Sequence, residues 1–273
     1  MSRTTADYSI AAHTVSDIGC VRKSNQDAVA YIVPRLAVDR RRLGVLLIVA
    51  DGMGGHQGGE VASELAVQTI AESYFAATDE DRRRALEKSI EWANEVVFRA
   101  SQADQRLAGM GTTVTALALV NREAIFASVG DSRLYRCHNG QCQQLTQDDT
   151  LIEQLLRVGA IDADKARNHP IRNILLRSLG TQDTLQIVAH QTEPMAVGEH
   201  FVLCSDGLYE SIDSDEIGQA VSKYAPEIAC RELVELARQR GGRDNISIGV
   251  LAICPPVAIV RRQRDRRADR ATP

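Results

Sequence analysis

The chain has 273 residues, 44% of them hydrophobic and 25% charged, with a formal net charge of −4. That length can bury a sizeable core in one large domain or two small ones. The balance is ordinary for a soluble globular protein, and an aromatic content of 4% suggests tight aliphatic packing rather than an aromatic-lined groove.

No apolar run reaches the length of a membrane span, and Met1–Ile10 lacks the basic-then-apolar build of a signal peptide, so a cytoplasmic protein is expected. Cys20, Cys137, Cys142, Cys204, Cys230 and Cys254 are scattered without a CxxC pair or a histidine cluster. This argues against a zinc site and a disulfide framework, and all are expected to be reduced, mostly core, thiols.

In chain order, Tyr8–Ser16 and Ala28–Val33 read as short strands around the polar turn DIGCVRKSNQD. Val45–Ala50 is a continuous apolar run, as expected of a strand buried on both faces. Glu60–Phe75 and Asp79–Gln105 carry helical spacing, the second opening on acidic residues that suit a helix N-terminus. The runs TTVTALALV, AIFASV and RLYRC follow with only NRE and GDS between them, which predicts an antiparallel meander. Leu151–Val158 and Ala163–Arg167 suggest short helices within a charged region ending at Gly180. Strands are expected at Leu185–Gln191, His200–Cys204 and Ile246–Ile253, and helices at Asp213–Ser222 and Glu227–Arg238. Elements in blocks rather than strict alternation favour a layered α+β fold with largely antiparallel sheets. Pro255-Pro256 ends the pattern, and the tail from Arg261 has six arginines against two aspartates, the composition of a solvated, disordered segment.

Several of these strands finish on an aspartate. LLIVA runs into Asp51-Gly52, IFASVG into Asp131-Ser132 and FVLCS into Asp206-Gly207, while Asp244-Asn245 leads into the last strand. After Asp51, five glycines fall within eight positions before a helix begins. Such a turn can cradle phosphate, but the Gly-Lys-Ser/Thr of a nucleotide-binding loop is missing. Converging carboxylates would repel unless cations neutralised them, and all-oxygen ligation selects Mg²⁺ or Mn²⁺ over Zn²⁺. Two such ions can activate water and clamp a phosphoryl group, for which Arg22 could supply a forked donor.

The segments DIGCVRKSNQD, VADGMGGHQGGEVAS, GTTVTAL, VGDSRLY, LTQDDT, HPIRNILLRSLG, LCSDGL and GGRDNIS, in this order from Asp17 to Ser247, resemble the motifs of bacterial metal-dependent Ser/Thr protein phosphatases of the 2C type. The resemblance implies a four-layer α/β/β/α sandwich of two central antiparallel sheets, with one catalytic domain over 1–256, a flap subdomain about 149–180 and the basic tail 257–273 beyond it. It implies that Asp51 bridges two Mn²⁺ or Mg²⁺ ions with the Gly52 carbonyl beside it, and that Asp206 and Asp244 hold the first ion. Asp131 matches the position of a third, weaker ion, Arg22 the phosphate-binding arginine, and Asp27 a carboxylate that orders metal-bound water. Two positions depart from the pattern: Gln26 stands where many relatives have glutamate, and Asp149 where they usually have histidine. His56 is expected to order its loop, His169 to cap or pack the flap, and Cys204 to pack.

The function these residues imply is hydrolysis of phosphoserine and phosphothreonine in proteins by a metal-bound hydroxide. Phosphorylated proteins and a bacterial Ser/Thr kinase are the expected partners, with no nucleic acid, no membrane span and a monomeric chain. A phosphoprotein-binding module without activity would have no need of Asp51, Asp131, Asp206 and Asp244.

Overall fold

The computed structural model describes residues 8–54, 58–78, 81–162, 165–166 and 169–256. The described residues form eleven strands and, in blocks among them, seven α-helices: β1 (Ser9–Asp17), β2 (Asp27–Ile32), α1 (Ala37–Leu43), β3 (Val45–Met53), α2 (Gly58–Ala76), α3 (Arg82–Ala103), β4 (Gly111–Thr112), β5 (Val114–Val120), β6 (Glu123–Val129), β7 (Arg133–His138), β8 (Gln141–Gln144), α4 (Leu151–Arg157), β9 (His190–Gln191), β10 (His200–Cys204), α5 (Asp206–Tyr209), α6 (Ser214–Lys223), α7 (Pro226–Gln239) and β11 (Ile246–Cys254). His56, most of Ala163–Arg167 and the tail lie outside the described residues. Among those described, no helix is long and apolar enough to cross a membrane.

The strands form two antiparallel sheets, ordered β1-β11-β10-β7-β8 and β2-β3-β5-β6-β9, with β4 paired to β3. Strand β3 shows why its sequence is apolar throughout. Leu46, Ile48 and Ala50 pack outward with Ala66, Ile70, Leu86 and Ile90 of α2 and α3. Val45, Leu47 and Val49 face inward onto Leu134, Phe201, Leu203 and Leu251 of the other sheet. On the far side, Ile217 and Val221 of α6 and Leu233 and Ala237 of α7 cover Val202, Ile248 and Val250. The expected α/β/β/α sandwich is thus present, with one apolar layer between the sheets and one under each helix pair.

Three expectations need correction. The meander does not continue into β7: β5 and β6 pair with each other, but β7 pairs with β10 in the opposite sheet. The Gly130-Asp131-Ser132 corner carries the chain across. Gly130 sits at φ +95°, and a Cβ there would meet the Thr113 side chain at 2.7 Å, so the break is a sheet switch and not a hairpin. The strand expected at Leu185–Gln191 shrinks to His190–Gln191 because the backbone N–H groups of Ile187 and Ala189 donate to Glu91 and Glu87 of α3. Last, Cys137 and Cys142 are joined in a disulfide: β7 and β8 meet in a register that sets them directly opposite. Spacing along the chain, without β8, gave no sign of that pairing.

Candidate active site

The acidic strand ends converge where the two sheets come together at one end of the sandwich. Asp27 lies opposite Asp51 in the β2–β3 register. The Asp51 N–H donates to Thr113 Oγ1 (3.0 Å), while its carbonyl accepts from Thr113 N–H (2.8 Å) and Thr112 Oγ1 (2.9 Å). Gly52 is wedged so closely that a Cβ would stand 2.0 Å from the Gly59 carbonyl oxygen and 2.5 Å from that of Gln26. Only glycine fits there, and Gly59 at the start of α2 is glycine for the same reason, since a Cβ on it would stand 2.7 Å from the Gly52 carbonyl oxygen.

The other sheet supplies Asp206 at the start of α5 and Asp244 just before β11. Ser205 Oγ donates to Asp27 Oδ2 (2.7 Å) and accepts from Ser247 N–H (3.0 Å), tying the two sheets together. Asn245 clamps the loop that carries Arg22: its Oδ1 accepts from Gln26 N–H (2.8 Å), and its Nδ2 donates to the carbonyls of Ile18 and Ser24. Arg22 Nη2 in turn donates to Asp244 Oδ2 at 2.6 Å. Its guanidinium is half exposed at the rim of the acidic cluster, where the bond to Asp244 raises its already high pKa.

Burial and mutual repulsion dominate the electrostatics. Burial pushes Asp27 up to about 6, against the opposing Ser205 hydrogen bond. Burial also pushes Asp131 to about 6, with Asp148 adding to the rise. Asp51 is held well above the ordinary carboxylate range, first by burial and then by Asp27, Asp206, Asp131 and Asp244. Asp206 is raised likewise, by burial and then by Asp131 and Asp244. Asp27 Oδ1 and Asp206 Oδ1 are buried without a hydrogen-bond partner.

The side chains stand apart: among the described residues no group of three or more Asp, Glu, His or Cys closes on a single point. The donors nonetheless suit hard divalent cations. They are carboxylate and carbonyl oxygens only, and two of them are buried acceptors that hydrogen bonding leaves unsatisfied.

Asp27, Asp51, Asp131, Asp206 and Asp244 thus lie within electrostatic reach of one another, with Arg22 at their edge, without closing on one point. Ser205 and Asn245 were missed as organisers; their only signal was the position of each directly beside an acidic strand end. The Gln26 carbonyl accepts from Gly52 N–H (3.0 Å) and Ser63 Oγ (2.6 Å), and its side-chain Nε2 donates to the Gly54 carbonyl (3.4 Å). Asp149 links two segments. Its carboxylate accepts from Gly130 N–H (3.2 Å) and Arg177 Nη1 (3.3 Å), and its own N–H donates to the Gly130 carbonyl (2.8 Å). His169 Nδ1 accepts from Ile171 N–H at 3.4 Å, a capping contact within the 149–180 segment. Cys204 is fully buried with its thiol pushed up to about 12, as a packing residue should be.

Residues 21–246 match the family profile of protein phosphatase 2C. The serine/threonine phosphatase stp of Listeria monocytogenes is 36% identical over 208 residues, 74% of this chain and 82% of that protein. The crystal structure of the Mycobacterium tuberculosis serine/threonine phosphatase PstP/Ppp superposes with a TM-score of 0.80 at 30% identity, covering 90% of this chain and 99% of the other. The catalytic domain of PstP in complex with two manganese ions gives a TM-score of 0.78 at 29% identity, with 90% and 98% covered. With the profile spanning both sheets and every acidic strand end, the chain belongs to the protein phosphatase 2C family.

Proposed function

We propose that this protein removes phosphate from phosphoserine and phosphothreonine in other proteins, working as a cytoplasmic monomer against a bacterial Ser/Thr kinase. The observation that carries the reading is the convergence of Asp27, Asp51, Asp131, Asp206 and Asp244 from both sheets, with the Arg22 guanidinium at their rim. A structural neighbour in complex with two manganese ions supports Mn²⁺ or Mg²⁺ as the cofactor.

Asp51, the Gly52 carbonyl, Asp206 and Asp244 would hold two ions, and Asp131 would hold a third, weaker one. Bound there, the ions supply activation of water and neutralisation of phosphoryl charge. The chain's own residues do the rest. Arg22 offers a planar fork to two phosphate oxygens, exchanging Asp244 for substrate. Asp27, fixed through Oδ2 by Ser205, keeps Oδ1 free to accept a hydrogen bond from water and orient it. The 149–180 segment, tied to the Asp131 corner through Asp149, serves as a flap against the substrate.

The test is phosphate release from phosphoserine and phosphothreonine peptides with and without Mn²⁺ after chelation. Chelation should abolish turnover and Mn²⁺ restore it, and Asp51→Ala and Asp206→Ala should remain essentially inactive while folded. Appreciable turnover in chelator, or in folded Asp206→Ala, would overturn the reading.

A further inference from the structure

A cleft of about 780 Å³ opens beside Asp131, walled on one side by Arg133 and Asp148 and on another by Cys142 of β8. Among the described residues strand β8 is the edge of its sheet, pairing with β7 and no other strand. Across that pairing Cys137 and Cys142 face each other with Cα atoms 4.0 Å apart, joined by a disulfide. They lie one step from the two-residue turn Asn139-Gly140, whose residues both have positive φ (52° and 81°), the tightest form of hairpin. The turn is pinned to α6, since the Gly140 N–H donates to Ser222 Oγ at 2.9 Å. Both free ends of the hairpin lead to the site. Strand β7 starts two residues after Asp131, and β8 runs on through Asp148 to Asp149, which is bonded to Gly130.

We propose that Cys137 and Cys142 are a reversible thiol–disulfide couple whose state sets how firmly β8 walls the cleft. Cys137 is fully buried and Cys142 half-buried and open to the cleft, so Cys142 is where exchange begins. Its thiolate attacks one sulfur of a low-molecular-weight disulfide of the glutathione class and expels one thiol. The Cys137 sulfur then attacks the Cys142 sulfur of that mixed disulfide and expels the second. Two protein thiols and one small disulfide become one protein disulfide and two small thiols, and reduction is the reverse.

In the oxidised form the edge strand is covalently fastened to β7; in the reduced form it is held by hydrogen bonds on one side only. A substrate whose residues beside the phosphate rest in the cleft senses the difference, whereas a small phosphoester does not. That functional consequence rests on the phosphatase reading, but the couple itself does not.

The experiment equilibrates the intact protein in reduced and oxidised glutathione mixtures, traps free thiols by alkylation under denaturing conditions and locates the modified cysteines by mass spectrometry. The expected result is a reversible 137–142 disulfide that forms as the mixture becomes oxidising, while Cys204 and Cys230 alkylate throughout. Recovery of both Cys137 and Cys142 as free thiols in every mixture would overturn the couple. Kinetics on the same samples test the consequence. The oxidised form should bind a phosphopeptide more tightly, with KM lower by about threefold or more at unchanged kcat, and hydrolyse p-nitrophenyl phosphate as before. Cys142→Ser should abolish the shift and Cys20→Ser, on the exposed free cysteine, should keep it. Equal phosphopeptide KM in both states would refute the link to the cleft while leaving the disulfide and the phosphatase assignment to their own measurements.

Discussion

Arg22 faces two acidic partners, the Asp244 carboxylate it holds here and the phosphate it is proposed to take. It donates to Asp244 at 2.6 Å, although its proposed task is to hold phosphate. Arg22→Ala should lose about 1.5–3 kcal/mol of charge-assisted hydrogen bonding to substrate, one to two decades in kcat/KM. Arg22→Lys, which restores charge without the fork, should fall between the two. The same Arg22→Ala change frees Asp244 of a competing cation, so calorimetry should show Mn²⁺ bound more tightly than in the wild type. Weaker Mn²⁺ binding in the variant would mean that Arg22 props the site open rather than competing for it. At this scale the sequence is informative only in the plural: an Asp-Gly or Asp-Ser at one strand end is a common turn, but Asp51, Asp131 and Asp206 each end an apolar run and Asp244 leads into another, and four acids so placed would repel without cations. Ser205 and Asn245 escaped notice because their work is done by partners more than 170 residues away, Asp27 for the one and Ile18, Ser24 and Gln26 for the other.

The corner at 130–132 is the element on which the site turns. A strand that went on pairing in its own sheet would leave Asp131 at a hairpin tip; by crossing over, it delivers the carboxylate between the sheets. The hydroxyls of Thr113 and Ser132, 2.7 Å apart, and the Thr115 Oγ1 bond to the Ser132 carbonyl at 2.6 Å fasten the turn. The sequence could not show the switch, since a short polar break between apolar runs is read equally well as a hairpin, and only the packing of both β-sheets distinguishes them. Two substitutions here should separate geometry from ligation. Gly130→Ala places a methyl group against Thr113 in a positive-φ backbone, and should lower stability by about 1–3 kcal/mol in denaturant melts. Asp131→Ala should leave the fold and the two tighter ions intact but remove activation by Mn²⁺ in the range of about 10⁻⁴–10⁻³ M, where weak hard-ion sites fill. Loss of a tight site in calorimetry, or an unchanged activation curve, would show that Asp131 belongs to the central pair instead.

For the molecule as a whole, gathering carboxylates at one end of the sandwich carries a cost that depends on pH. Burial holds Asp27 and Asp131 each near 6, against an ordinary value of 3.8. Between those values the folded chain keeps protons that the unfolded chain has released. Stability of the chelated protein is therefore fullest below about pH 4 as far as these groups are concerned, and is lost as pH rises through about 6. Each shift corresponds to on the order of 3 kcal/mol at most, reduced by the coupling among neighbours. Glu216 works in the opposite sense: Arg240 holds it near 2 against 4.5, so what it contributes is gained as pH rises and is complete by about pH 5. Because Glu216 and Arg240 lie at the surface, each about a third exposed, solvent screening makes that contribution small. The window from about 5 to 6 thus belongs to the buried acids. Thermal melts in chelator should show the midpoint falling across it, and Asp27→Asn and Asp131→Asn should each flatten the fall. Mn²⁺ should raise the midpoint far more above pH 6 than below pH 5, since ions bind the ionised carboxylates and stabilise the folded chain by mass action. A midpoint that rises through this window in chelator would mean that Asp27 and Asp131 are already ionised in the folded protein and that burial does not hold their protons.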